Sequence, residues 1–188
     1  MVSKLYHKNK NQRDAYSSPW PKKEAIMIRI WEVVWTLFVR WLPKPFYRWH
    51  IFLLKLFGAH ISGHPFIAPT ARIYAPWLLT VGDRSCIATR SEIYNLGPVI
   101  IKERVTIAQY AYICNGSHDL SDNKLPLVVG DVVIDNDVFI GARAIILPGL
   151  HLCRYSVVGA VLTKNTTDFG IYAGNPARFI KERNIYGE

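Results

Sequence analysis

VVIDNDVFIGARAIILPGLHLCRYSVV, residues 132–158, carries Ile134, Ile140, Ile146, Leu152 and Val158 at an unbroken spacing of six. A period of six fits neither an amphipathic helix nor the two-residue alternation of a single strand. It fits a parallel coil in which each hexapeptide makes one short strand and one turn, with the aliphatic side chain stacked on its equivalents in adjacent coils. Outward from this stretch, the same beat runs through Ile61, Ile67 and Ile73, then Val81, Ile87 and Ile93, then Ile101, Ile107 and Ile113. All fourteen positions are Ile, Leu or Val. Four places after most of them stands a small side chain, or Val at 105 and 138; Ala71, Ser85, Ser91, Gly97, Ala111, Ala144 and Ser156 are examples. Such side chains let the chain turn a corner without crowding the interior. Three hexapeptides make one triangular coil, so the predicted fold is an all-β solenoid of hexapeptide repeats.

The interruptions locate the chemistry. Two of them, between Ile73 and Val81 and between Ile93 and Ile101, add two residues each and lengthen a corner without losing register. Between Ile113 and Ile134 the chain reads CNGSHDLSDNKLPLVVGDVV. Its polar, turn-rich start predicts a loop over 115–127 that leaves the prism. Insertions in repeat folds collect on one face, often the binding face, and long loops in compact domains are commonly functional. Cys86, Cys114 and Cys153 adjoin the aliphatic positions, show no metal-ligand spacing, and by their odd number argue against a disulfide framework. They are expected as small buried thiols in a reducing compartment. The polar, charged first twenty residues predict no signal peptide.

Charge is unevenly placed. The net charge is +9, and residues 1–60, with eleven Lys/Arg and three Asp/Glu, carry +8 of it. Trp20, Trp31, Trp35, Trp41 and Trp49 lie in the same third of the chain. Residues 1–23 are expected as a flexible basic lead and residues 24–58 as a helical segment. KEAIMIRIWEVVWTLFVRWL predicts a helix to residue 42, with Arg29, Glu32, Thr36 and Arg40 as a narrow polar stripe. Pro43 and Pro45 break it. A second helix runs from Phe46 to about Phe57, with Gly58 as its stop. Charged residues interrupt the first helix, so neither is expected to span a membrane. The pair fits a cap on the open end of the solenoid, and residues 24–57 also fit an interfacial membrane contact, since Trp favours the headgroup level and basic residues favour anionic lipid. No nucleic-acid motif accompanies the charge, and no nucleic-acid partner is expected. The solenoid is expected over 59–164, followed by a tail, 165–188.

The loop carries Asn115-Gly116-Ser117-His118-Asp119. An imidazole titrates near neutrality and suits proton abstraction, and small neighbours would let it reach into a cleft. On these residues alone an exposed loop histidine is the plainer reading. A resemblance changes the weight. NGSHD at 115–119, VVIDNDVFIGARAIILPG at 132–149, VVGAVLTKN at 157–165 and AGNPARFIKER at 173–183 resemble the hexapeptide-repeat acyltransferases. FYRWHIFLLKLFGAHI at 46–61 is similar to the lead segment of the colanic-acid-type exopolysaccharide O-acetyltransferases.

The resemblance implies a left-handed parallel β-helix, a homotrimer, acetyl-CoA as co-substrate without a metal, and a sugar or polysaccharide-precursor acceptor. It implies a cytoplasmic enzyme, at the inner face of the membrane if the helices bind lipid. His118 would deprotonate the acceptor hydroxyl, which attacks the thioester directly. Asn95, Ser117 and Asp119 would position the acceptor, although Asn95 equally fits a turn residue in N-L-G-P. The Ala142 amide would face the thioester carbonyl. Phe139 would line the CoA groove, Gly159 and Ala160 would let the pantetheine approach, and Thr163, Lys164, Arg178 and Lys181 would meet the phosphates. Three positions depart from the family pattern: Phe139 replaces Trp, Lys181 replaces Arg and Arg143 replaces Gly. Two alternatives stand beside this reading, a non-catalytic scaffold tethered at the membrane and a transferase for a serine-type or xenobiotic acceptor. A metal enzyme on the same prism would need three clustered histidines, and His60, His64 and His151 are scattered.

Overall fold

A computed structural model describes residues 5–8 and 20–185. Three parallel sheets form the body, and the chain visits them in rotation. The first face stacks His60–Ile61, Leu79–Val81, Val99–Ile101, Val132–Ile134 and His151–Leu152. The second stacks Phe66–Ile67, Cys86–Ile87, Thr106–Ile107, Phe139–Ile140 and Val157–Val158. The third stacks Arg72–Ile73, Glu92–Tyr94, Tyr112–Cys114, Ile145–Ile146 and Val161–Leu162. Each circuit therefore lies directly on the one before, in register. Of the fourteen beat positions, all but Ile61 are at most 1% exposed. Ile61 belongs to the first circuit, where no earlier coil covers it. The interior is one aliphatic column, and each fully buried side chain in it contributes roughly 2–3 kcal/mol.

The expected small residues sit at the corners and tie circuits together. Ser85 Oγ donates to Lys102 O at 2.7 Å and accepts from Val105 N at 3.0 Å. A second corner feature carries no composition signal. Arg84, Arg90, Arg104, Tyr110, Asp137, Arg143 and Tyr155 each lie three residues after an inward aliphatic and adopt φ between 54° and 63°. Left-handed backbone costs an L-residue roughly 1–2 kcal/mol. Pairing along the axis offsets part of it: Arg104 grips Asp137 through two bonds of 2.7 and 2.8 Å. Similarly, Arg90 Nη1 donates to Tyr110 OH at 3.0 Å, and the Arg143 guanidinium lies 5.7 Å from the Tyr110 ring.

Two helices, α1 (Lys22–Phe38) and α2 (Tyr47–Leu56), precede the coil. They pack on its first circuit. Trp31, 1% exposed, donates its indole N–H to Ile73 O at 2.7 Å and packs on Phe57. Leu53 and Leu54 join the same core. The helical pair thus shares a core with the first circuit at the open end of the column.

Three segments differ from expectation. The region expected as a loop holds two strands, Gly116–His118 and Leu127–Val129, paired antiparallel. Much of the expected flexible lead lies outside the described residues, but Tyr6–His7 adds a third strand against Val128 and Val129. The cysteines are half-buried rather than buried. Each is next to an inward aliphatic, and alternation along a strand turns it outward. At the far end, Gly170–Ala173 extends the second face beyond Val157–Val158, and Arg178–Glu182 returns antiparallel beside it.

Candidate active site

His118 ends the first strand of the hairpin and is exposed. Its Nδ1 lies 2.7 Å from Leu125 O. A carbonyl only accepts, so in the neutral ring the proton sits on Nδ1 and the lone pair on Nε2. That is the tautomer a general base needs. Leu125 itself has φ 45°, an uncommon conformation for this residue. The turn between the strands holds it there: Asp119 Oδ1 accepts from Ser121 N and Oγ, Asp122 Oδ1 accepts from Lys124 N, and Leu125 N donates to Asp122 O. The Ser121 bonds hold the Asp119 carboxyl below the usual carboxylate range. Asp119 therefore shapes the turn that orients His118, while Ser117 is exposed beside it.

Two asparagines fix the root of the hairpin. Ala75, Asn95 and Asn115 each follow an inward Ile by two residues and stack at one corner of successive circuits. Asn95 is fully buried; its Nδ2 donates to Ala75 O at 2.6 Å and its Oδ1 accepts from Ala75 N at 2.9 Å. Asn115 repeats this one circuit up, accepting from Leu96 N and Gly97 N at 2.7 and 3.1 Å and donating to Pro98 O. Both ends of the Asn95 amide are engaged inside the corner, so it holds the turn, one of the two roles its place in N-L-G-P allows. Asn115 has the larger effect on the site, because Gly116 begins the hairpin strand. Its signal was present in the sequence as the Asn–Gly pair and the twenty-residue spacing from Asn95.

Four of the residues at and beside the expected CoA contact, Gly141, Ala142, Gly159 and Ala160, share a different corner, between the second and third faces. Gly141 N donates to Val158 O at 2.7 Å, and Gly159 N to Tyr172 O at 2.9 Å. The next amides, Ala142 and Ala160, make no hydrogen bond among the described residues. Ala142 is exposed. A Cβ added at Gly159 would meet only Tyr172 O, at an ordinary 3.8 Å. Nothing within the chain requires glycine there, so the open space suits an outside group. Phe139 is exposed on the adjoining strand, and Ala177 N donates to Val161 O at 2.7 Å, which brings the tail to this corner. Arg178 and Lys181 are exposed on the returning strand beside it, whereas Thr163 and Lys164, also exposed, follow Val161–Leu162 at the other end of the third face. Arg143, where the family pattern has glycine, has φ 61°, so its backbone keeps the conformation glycine favours.

His118 follows the strand Tyr112–Cys114, whereas Ala142 precedes the neighbouring strand Ile145–Ile146. The hairpin that carries His118 and the corner that carries Ala142 thus join the third face at opposite ends. On the side of the Ala142 corner, a cleft of about 670 Å³ opens between α1 and the lower circuits, lined by Trp35, Trp41, Arg40, Arg72 and Arg90 among others. No group of three metal-ligating side chains occurs among the described residues.

Fold and hairpin together define a class, a hexapeptide coil with an exposed histidine on a hairpin that leaves one corner. No family model matches the chain. The putative colanic acid biosynthesis acetyltransferase WcaF of Escherichia coli K12 is 34% identical over 161 residues, which span 85% of this chain and 88% of that protein. A hexapeptide-repeat acetyltransferase of Vibrio cholerae, solved with acetyl-CoA, superposes with a TM-score of 0.78 at 20% identity, covering 87% of this chain and 91% of that one. A maltose O-acetyltransferase of Clostridium difficile 630 superposes at 0.76 and 21% identity, covering 97% and 94%. The two structures show a shared fold. The similarity to WcaF shows the family: the chain belongs to the hexapeptide-repeat acyltransferases.

Proposed function

We propose that this protein transfers acetyl from acetyl-CoA to a sugar hydroxyl during surface-polysaccharide assembly, with His118 as general base. The observation that carries the chemistry is the bond from the exposed His118 to Leu125 O through Nδ1, with Nε2 unpaired among the described residues. Nε2 takes the hydroxyl proton as the oxygen attacks the thioester carbonyl. The new C–O ester bond forms, the C–S bond breaks, and the proton passes from the imidazolium to the departing thiolate. The Ala142 N–H, unengaged within the described residues, is placed to receive the oxygen on which negative charge develops. Support for the sugar acceptor comes from WcaF, named for colanic acid biosynthesis. The left-handed winding of the coil belongs to the same reading.

The proposed assembly is a homotrimer whose sites lie between copies. One chain holds the His118 hairpin and the Ala142 corner at opposite ends of a face, so a complete site needs the histidine of one copy beside the acyl corner of the next. The cleft beside Trp35 and Trp41 adjoins the Arg90–Tyr110–Arg143 column that leads to Ala142. Aromatic rings and guanidinium groups there suit a sugar that carries an anionic substituent.

Calorimetric titration with acetyl-CoA tests the reading without knowledge of the acceptor. Saturable binding, weakened at least tenfold by Lys164→Ala/Arg178→Ala, is expected. A folded, assembled protein that binds no acetyl-CoA would overturn it.

A further inference from the structure

The outer surface of the helical pair is apolar where a cap needs to be polar. On α1, Ile26, Ile30, Val33 and Leu37 recur at spacings of four, three and four, on the side opposite the buried Ile28 and Trp31. Leu37 is 64% exposed. On α2, Trp49, Phe52 and Leu56 form a second exposed stripe, and Leu56 is 68% exposed. The stripes are joined, because the Trp49 indole donates to Phe38 O at 3.1 Å and its ring stacks on Phe52. Apolar faces this continuous on a soluble domain mark an interaction surface.

Charge selects the occupant. Lys22, Lys23, Arg40, Lys44, Arg48 and Lys55 are exposed around the two stripes. The acidic residues of the helical pair, Glu24 and Glu32, are bridged to Lys8 and to Arg29 and Arg72. A second copy docked on this face would bring like cations together. An anionic bilayer would take the apolar stripes below its headgroups and the cations among its phosphates. No helix of the described residues is long and apolar enough to cross a membrane, so the pair would lie along the surface.

We propose that α1 and α2 dock the protein on an anionic bilayer surface, with the stripes of Leu37 and Phe52 facing the acyl chains. The docking is independent of the acetyl-transfer reading. Trp41 and Arg40, at the end of α1, border both this face and the large cleft, so the mouth of the cleft lies beside the docked surface.

Vesicle flotation of the full-length protein tests it, with phosphatidylcholine alone and with about 30% phosphatidylglycerol added. Flotation with the anionic vesicles, at least fivefold weaker on phosphatidylcholine and reduced by 0.5 M salt, is expected. Leu37→Ser/Phe52→Ser/Leu56→Ser changes only exposed side chains and should release the protein while leaving acetyl-CoA binding and circular dichroism unchanged. Arg48→Glu/Lys55→Glu should do the same more weakly. A folded wild type that stays unbound on anionic vesicles overturns the proposal. So does a triple variant that floats as well as wild type. Loss of assembly in the triple variant, with a wild type that does not float, would assign the face to contacts between copies.

Discussion

His50 is fully buried beneath α1, its ring stacked on Trp31. Its Nδ1–H donates to Ala68 O at 3.1 Å, and Nε2 has no partner among the described residues. Desolvation lowers its pKa from 6.5 to about 4. The unfolded chain therefore takes up a proton first as pH falls, and this residue's share of stability is complete above pH 6.5 and is lost progressively towards pH 4. The full effect is on the order of 3 kcal/mol. Urea titrations at pH 7, 5.5 and 4.5 should show stability falling on that scale. His50→Gln, which keeps a donor for Ala68 O and does not titrate, should flatten the slope. His118 is the opposite case, an exposed ring held by one bond. Replacing it with Gln should lower kcat by roughly 10²–10⁴, while calorimetry finds acetyl-CoA binding within about twofold of wild type.

At the scale of elements, the hairpin that carries His118 depends on the asparagine corner beneath it. Asn115→Ala would leave Leu96 N and Gly97 N without their acceptor, at roughly 1–3 kcal/mol for each buried group. A loss of about 2–4 kcal/mol in unfolding free energy is the expected outcome, with faster amide exchange over Gly116–His118. Asn115→Asp retains the acceptor and should lose less. The corners of the coil behave similarly: Arg90 and Arg104, in left-handed backbone, each find a side-chain partner in the next circuit. Arg104 and Asp137 both have positive φ and grip each other. Within the column, Ile107→Ala removes a fully buried side chain between two circuits and should cost about 2–5 kcal/mol, read by the same titration.

At the scale of the whole molecule, the proposed reading makes activity a property of the assembly, because it takes the histidine from one copy and the Ala142 corner from the next. His118→Gln and Lys164→Ala/Arg178→Ala chains should each be nearly inactive alone. Mixed assemblies made by co-expression should regain measurable turnover, because some interfaces then pair an intact histidine with an intact acyl corner. Absence of recovery in verified mixed assemblies would place both halves of the site within one chain.

The six-residue beat determined the parallel coil by itself, because every circuit repeats one local rule: an inward aliphatic, then a small corner. The departure of the chain from the prism after Ile113 was legible too, since NGSHD breaks that rule as a local string. The tertiary structure alone decided what depends on partners far apart in sequence. Asn95 was drawn into the corner by Ala75, twenty residues away. The tautomer of His118 depends on a carbonyl whose position follows from the strained turn at Leu125. The pairing of Tyr6–His7 with the hairpin joins segments more than a hundred residues apart. The split of apolar residues on α1 into a buried and an exposed stripe became visible only when the coil covered one side, because hydrophobic pattern records which residues avoid water and not which neighbour takes them.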